Sequence, residues 1–219
     1  MKEYSRRLFC IGSALLAAFL IWTVLIRNID VAAVGPKGSS VGFSTFNLFI
    51  HRLFGVNMTL YVITDWLGLV PLIICFIFAA VGLLQLVKRR NLFKVDLDIL
   101  ILGVYYFLVI LAYLIFEMIP INYRPILIGG FQETSYPSST TLLVLSVMPT
   151  LGFECKKRFK NKVFIKIINI FASLFSLFMV CGRLVSGVHW FTDIVGSILF
   201  SIGLFLLFKS AVLRFGKDV

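Results

Sequence analysis

The sequence predicts an all-α membrane protein, a bundle of six transmembrane helices with both termini cytoplasmic. Three observations carry this expectation. Of 219 residues, 60% are hydrophobic and 14% charged, against about 45–50% and about 25% in a soluble domain. The charges sit in short clusters between apolar runs, and most of these runs approach the roughly 20 residues a helix needs to cross a bilayer. The basic residues also fall unevenly on alternate connections, the asymmetry that sets orientation in a membrane.

The net charge of +11 does not point to nucleic acid, because the basic residues bracket apolar runs instead of forming a stripe. The same composition excludes a disordered chain and a coiled coil. Cys10, Cys75, Cys155 and Cys181 show no CxxC spacing, so neither a disulfide framework nor a zinc site is expected.

The first span is residues 8–26. A basic segment precedes it, but the run is longer than a signal-peptide core and no small-residue cleavage site closes it, so it is read as retained. The connection 27–65 is the longest. It holds a turn-rich stretch at 35–40 and a segment, 43–54, whose apolar residues recur at near-helical spacing and predict a helix lying on the membrane surface. The further spans are 66–87, 99–119, 138–153, 163–181 and 193–213. The fourth is short and contains Pro149. It is kept because six spans place 16 of the 21 Lys and Arg on one side and 5 on the other, whereas five would scatter them. Residues 1–219 are thus read as one membrane domain, in a multi-pass protein of a bacterial cell membrane.

Chemistry-bearing residues gather on the side opposite the basic clusters. Arg124 follows the third span in Asn122-Tyr123-Arg124-Pro125, and Tyr136-Pro137-Ser138-Ser139-Thr140-Thr141 opens the fourth. Arg183 closes the fifth span; His189 and Asp193 open the sixth. Two guanidiniums can hold a phosphoryl group by bidentate, charge-assisted hydrogen bonds. Ser138 at a helix start adds a hydroxyl beside free backbone N–H groups that favour an anion. A neutral His189 can attack phosphorus, giving a phosphohistidine that water hydrolyses. Asp193, four residues on and on the same helical face, is placed to accept the other ring proton and fix the tautomer. His51, the other histidine, reads as an interfacial residue.

This spacing resembles the type 2 phosphatidic acid phosphatase family, membrane relatives of the vanadium haloperoxidases. Its third motif is matched by Arg183, five residues, His189, three residues, Asp193. Arg124-Pro125 matches the end of its first motif and Pro137-Ser138 the start of its second. The resemblance covers about residues 99–213. It implies that His189 is the nucleophile and Asp193 its partner, that Arg124, Ser138 and Arg183 bind phosphate, and that no metal or other cofactor is needed. The partners implied are a lipid phosphate and the surrounding membrane lipids, with the site facing outward.

Three positions depart from the family pattern. Glu117 stands where the first motif has Lys, Thr140 where the second has its acid His, and Gly182 where the third has Ser. With Ser139, these make Thr140 and Glu117 possible site residues. A diphosphate releases a phosphate monoester, which needs less protonation than an alkoxide, so Thr140 points toward an isoprenyl diphosphate as substrate. The same residues leave open a lipid phosphotransferase, and a lipid-phosphate-binding or accessory protein with an impaired site.

Overall fold

A computed structural model describes residues 2–216. Its helices are α1 (Lys2–Asn28), α2 (Ser44–Phe54), α3 (Met58–Leu67), α4 (Leu69–Arg89), α5 (Leu97–Met118), α6 (Ser139–Arg158), α7 (Lys162–Val185) and α8 (Phe191–Phe215). Five stretches are long and apolar enough to cross a membrane: α1, the joined Met58–Arg89, α5, α7 and α8. The protein is all-helical and multi-pass.

The expected fourth span corresponds to α6, which falls outside those five. The reason is its position. Ten of its twenty residues are buried, among them Ser146, Thr150 and Glu154, and it packs against α7, α8, α4 and α5. A helix walled by other helices carries small and polar residues that bond to neighbours, where a lipid-facing one carries Phe and Leu. Thus the Tyr105 hydroxyl donates to the Ser146 carbonyl at 2.8 Å, and the Tyr106 and Thr150 hydroxyls lie 2.6 Å apart. Around this helix lies the main apolar core, including Ile74, Phe78, Leu102, Met148, Met179 and Phe208.

The surface helix expected over 43–54 is α2. Phe46, Phe49 and Leu53 are exposed, while Asn47 is buried and donates from Nδ2 to Gly42 O at 2.8 Å and Thr192 Oγ1 at 3.0 Å. Helix α3 was not expected, since the sequence reads residues 55–65 as connection. Asn57 caps it, its Oδ1 accepting from Leu60 N at 2.9 Å. It stops one turn before Pro71, which has no N–H to offer the Leu67 carbonyl.

Helix α1 lies along α8. A Cβ on Gly12 would come 2.9 Å from the Gly203 carbonyl oxygen, so the two backbones meet closely there. Near its C-terminal end α1 supports the α5–α6 connection. The buried Tyr136 ring stacks on Phe19 at 6.0 Å, and its hydroxyl lies 2.7 Å from Thr23 Oγ1. Within the connection, Arg124 N donates to Glu133 O at 3.0 Å and Ser135 N to Asn122 O at 2.9 Å. This short antiparallel pairing sets Arg124 opposite Glu133 and Asn122 opposite Ser135.

Candidate active site

The site forms where the α5–α6 connection meets the α7–α8 turn. Arg183, in the last turn of α7, is fully buried. The chain then turns through Gly187, whose φ of +69° and close approach to the Gly55 carbonyl oxygen (2.0 Å from an added Cβ) admit no side chain. Helix α8 restarts at Trp190, whose N–H donates to Asp193 Oδ2 at 2.9 Å. The Trp190 indole N–H donates to Tyr123 O at 2.8 Å, tying the turn to the connection.

This brings His189 between two partners that fix its tautomer. Its Nδ1 lies 3.1 Å from the Ser135 carbonyl oxygen, and its Nε2 lies 3.2 Å from Arg183 Nη2. A carbonyl only accepts and a guanidinium only donates. Nδ1 therefore carries the proton and Nε2 the lone pair. Burial, with Arg183 and Arg124 close by, pushes the His189 pKa well below its ordinary 6.5, so the ring is neutral at neutral pH.

Asp193 sits differently from the sequence expectation. Its Oδ2 is 3.7 Å from Nδ1, within ionic range, but the ring proton points to Ser135 O. The carboxylate accepts from Trp190 N and, at 3.3 Å, from Asn122 Nδ2. It orders the turn that carries the ring.

Arg124 and Arg183 converge on this histidine. Arg124 Nε is 3.0 Å from Glu133 Oε2, and Arg183 Nη1 is 3.6 Å from Asp65 Oδ1. Neither pair is aligned as a hydrogen bond: Nε and Nη1 of both arginines are buried without a hydrogen-bond partner. Leaving such donors unsatisfied costs about 1–3 kcal/mol each, and an anion among them would remove that cost. The two guanidiniums also share a ring, with Cζ of Arg183 at 5.0 Å and of Arg124 at 5.7 Å from the Tyr61 centroid.

Ser138 precedes α6 and is fully buried. Its hydroxyl donates to Thr141 Oγ1 at 3.1 Å and caps no backbone group. A narrow cleft runs from His189 past Ser139 and Leu142 to Tyr113, Phe116 and Glu117 of α5. Glu117 thus borders the site, but the carboxylates paired with the arginines are Glu133 and Asp65. Thr140 faces the other way: its methyl would lie 3.5 Å from a Cβ on Gly68. His51 packs its ring 5.6 Å from that of Trp190. Sequence reading missed Tyr61, Asp65, Asn122, Glu133 and the Ser135 carbonyl. Of these, only Asn122 had a local signal, next to Tyr123-Arg124-Pro125.

Comparison with known proteins bears on the family and the fold. No curated protein matches the chain. A crystal structure described as the first transmembrane PAP2 type phosphatidylglycerolphosphate phosphatase, from Bacillus subtilis, matches with a TM-score of 0.69 and 16% identity, covering 95% of this chain and 98% of that one. That likeness speaks to the fold. The model of the PAP2 superfamily matches residues 74–217, a range that holds Arg124, Ser138, Arg183, His189 and Asp193. With well over half of its length matched, the chain belongs to the PAP2 superfamily.

Proposed function

We propose that the protein is an integral-membrane lipid phosphatase that hydrolyses a lipid phosphate or isoprenyl diphosphate through a phosphohistidine on His189. One observation carries the reading: a neutral imidazole offers its lone pair 3.2 Å from a guanidinium, beside further guanidinium donors that have no partner. In the reaction, Arg124 and Arg183 bind the phosphoryl oxygens and meet the charge that builds on them. Nε2 attacks phosphorus, and Ser135 O and Asp193 stabilise the charge that the ring acquires. Ser138, Ser139 and the free N–H groups at the start of α6 supply further donors. Charge on phosphorus is met by arginine throughout, so the chemistry proceeds without a metal.

The chain acts as one membrane domain with six spans, α6 included, and its termini are cytoplasmic. The bias of basic residues supports this orientation, which puts the site at the outer face of a bacterial cell membrane. The narrow cleft toward α5 marks the side from which a lipid headgroup reaches His189; it widens to pass the headgroup while the tail stays in the bilayer. Thr140 favours an isoprenyl diphosphate over phosphatidate, because a phosphate monoester leaves with less protonation. The solved relative is described as acting on phosphatidylglycerolphosphate, which makes that lipid a third substrate to assay.

A second reading, a lipid-phosphate-binding protein with little turnover, draws on Asp65 and Glu133, the carboxylates nearest the two arginines. Phosphate release by the purified chain in detergent, with chelator, separates the two. Release abolished by His189→Ala establishes the phosphatase. Binding of a lipid phosphate with no release by the wild type supports the second reading.

A further inference from the structure

In the reaction above, the leaving oxygen still needs a proton, and Thr140 at the acid position of the family pattern does not ionise. Helix α3 borders the same space. It seats against α7 because Gly182 has no side chain: a Cβ there would meet Thr64 Cγ2 at 2.7 Å. Thr64 is fully buried in that contact. The serine of the family pattern would hold α3 away, so the glycine and the helix belong together.

Seated in this way, α3 brings two groups to the arginines. The Tyr61 ring lies 5.0 Å from Arg183 Cζ and 5.7 Å from Arg124 Cζ. Asp65, one turn on and on the same face, reaches Arg183 Nη1 at 3.6 Å. The end of α3 then meets the start of α6, where Thr140 abuts Gly68. Tyr61 thus lies beside both arginines and Asp65 beside Arg183, while Thr140 packs on Gly68. A phenolic O–H is a hydrogen-bond donor, whereas a carboxylate only accepts.

We propose that Tyr61 is a catalytic residue of this site, donating the proton to the leaving oxygen while its ring holds the two guanidiniums together by cation–π attraction. The inference rests on the phosphatase reading. As the Nε2 lone pair forms the N–P bond, the P–O bond to the lipid breaks. Its electron pair stays on the leaving oxygen, which takes the phenolic proton. The phenolate left behind is stabilised by Arg124 and Arg183. It then takes a proton from water as the water oxygen attacks phosphorus, and the N–P pair returns to Nε2. The products are the released lipid and inorganic phosphate, and the phenol is restored. With Tyr61 as the acid, the site extends to esters, which Thr140 alone disfavours.

The test compares wild type, Tyr61→Phe, Tyr61→Leu and His189→Ala on phosphatidate, which releases an alkoxide, and on an isoprenyl diphosphate, which releases a phosphate monoester. Tyr61→Phe keeps the ring and is expected to hold KM while lowering kcat on phosphatidate by about 10²–10⁴, the usual contribution of a general acid. On the diphosphate its effect is expected to be much smaller. Tyr61→Leu should raise KM as well. Unchanged kcat in Tyr61→Phe, or an equal loss on both substrates, overturns the acid role while the phosphatase stands. A wild type without His189-dependent release on either substrate overturns the phosphatase reading, and the acid role with it.

Discussion

Nε2 of His189 faces Nη2 of Arg183 at 3.2 Å, and Nδ1 of the same ring faces the Ser135 carbonyl at 3.1 Å. Protonating Nε2 would set a cation against a guanidinium in a buried place, which is why the His189 pKa is held well below 6.5. The unfolded chain takes up that proton near pH 6.5. Below this pH the unfolded state therefore binds more protons, and stability falls as the pH drops toward the folded value. Thermal unfolding in detergent between pH 7 and pH 5 should show the loss, and His189→Asn should flatten it. The slope that persists belongs in part to His51, whose pKa burial also lowers.

Asn122 is buried and holds Asp193 Oδ1 at 3.3 Å. Asn122→Ala removes the donor and leaves a buried carboxylate oxygen without it, at a cost of about 1–3 kcal/mol. Unfolding measurements should show that loss together with slower turnover, since Asp193 fixes the Trp190 end of the turn that carries His189. Full activity in Asn122→Ala would show that Trp190 N alone holds the carboxylate in place.

At the other end of α6, Arg158 joins two carboxylates. Its Nη2 reaches Asp98 Oδ2 at 3.0 Å and its Nη1 pairs with Glu154, which is fully buried. Breaking a buried pair by removing one partner costs about 3–5 kcal/mol. Arg158→Met should lower the unfolding midpoint sharply and leave KM unchanged, because nothing in this cluster touches Arg124, Arg183 or His189.

Gly182→Ser places a side chain against Thr64, 2.7 Å from its methyl at Cβ. Overpacking of this kind costs about 1–3 kcal/mol, and here it falls on the contact that seats α3. The variant should raise KM for any lipid phosphate by moving Tyr61 from the arginines. Adding Thr64→Ala should recover most of the loss, and a double variant as impaired as the single would show that another contact seats α3.

The legible parts of the molecule follow from physics that acts locally. Runs of apolar residues mark α1, α4, α5, α7 and α8, and the spacing from Arg183 through His189 to Asp193 marks the turn between α7 and α8. Helix α6 was found through charge bias more than through its own composition, because its neighbours are protein and it need not be apolar. The α3 residues were not legible. Met58–Leu67 merges with the apolar run that follows it, and nothing near Tyr61 says that it meets arginines some 60 and 120 positions later along the chain. The Ser135 carbonyl was invisible for another reason: backbone atoms leave no mark on a sequence.

Phe19 and Thr23 of α1 clasp Tyr136, whose neighbour Ser135 receives the His189 proton. The support for the His189 tautomer therefore begins far upstream of Ile74, where the family match starts. A fragment cut at that boundary would carry every motif residue and lose the wall behind them. Grafting these motifs onto another helical scaffold would meet the same difficulty unless an aromatic buttress came with them.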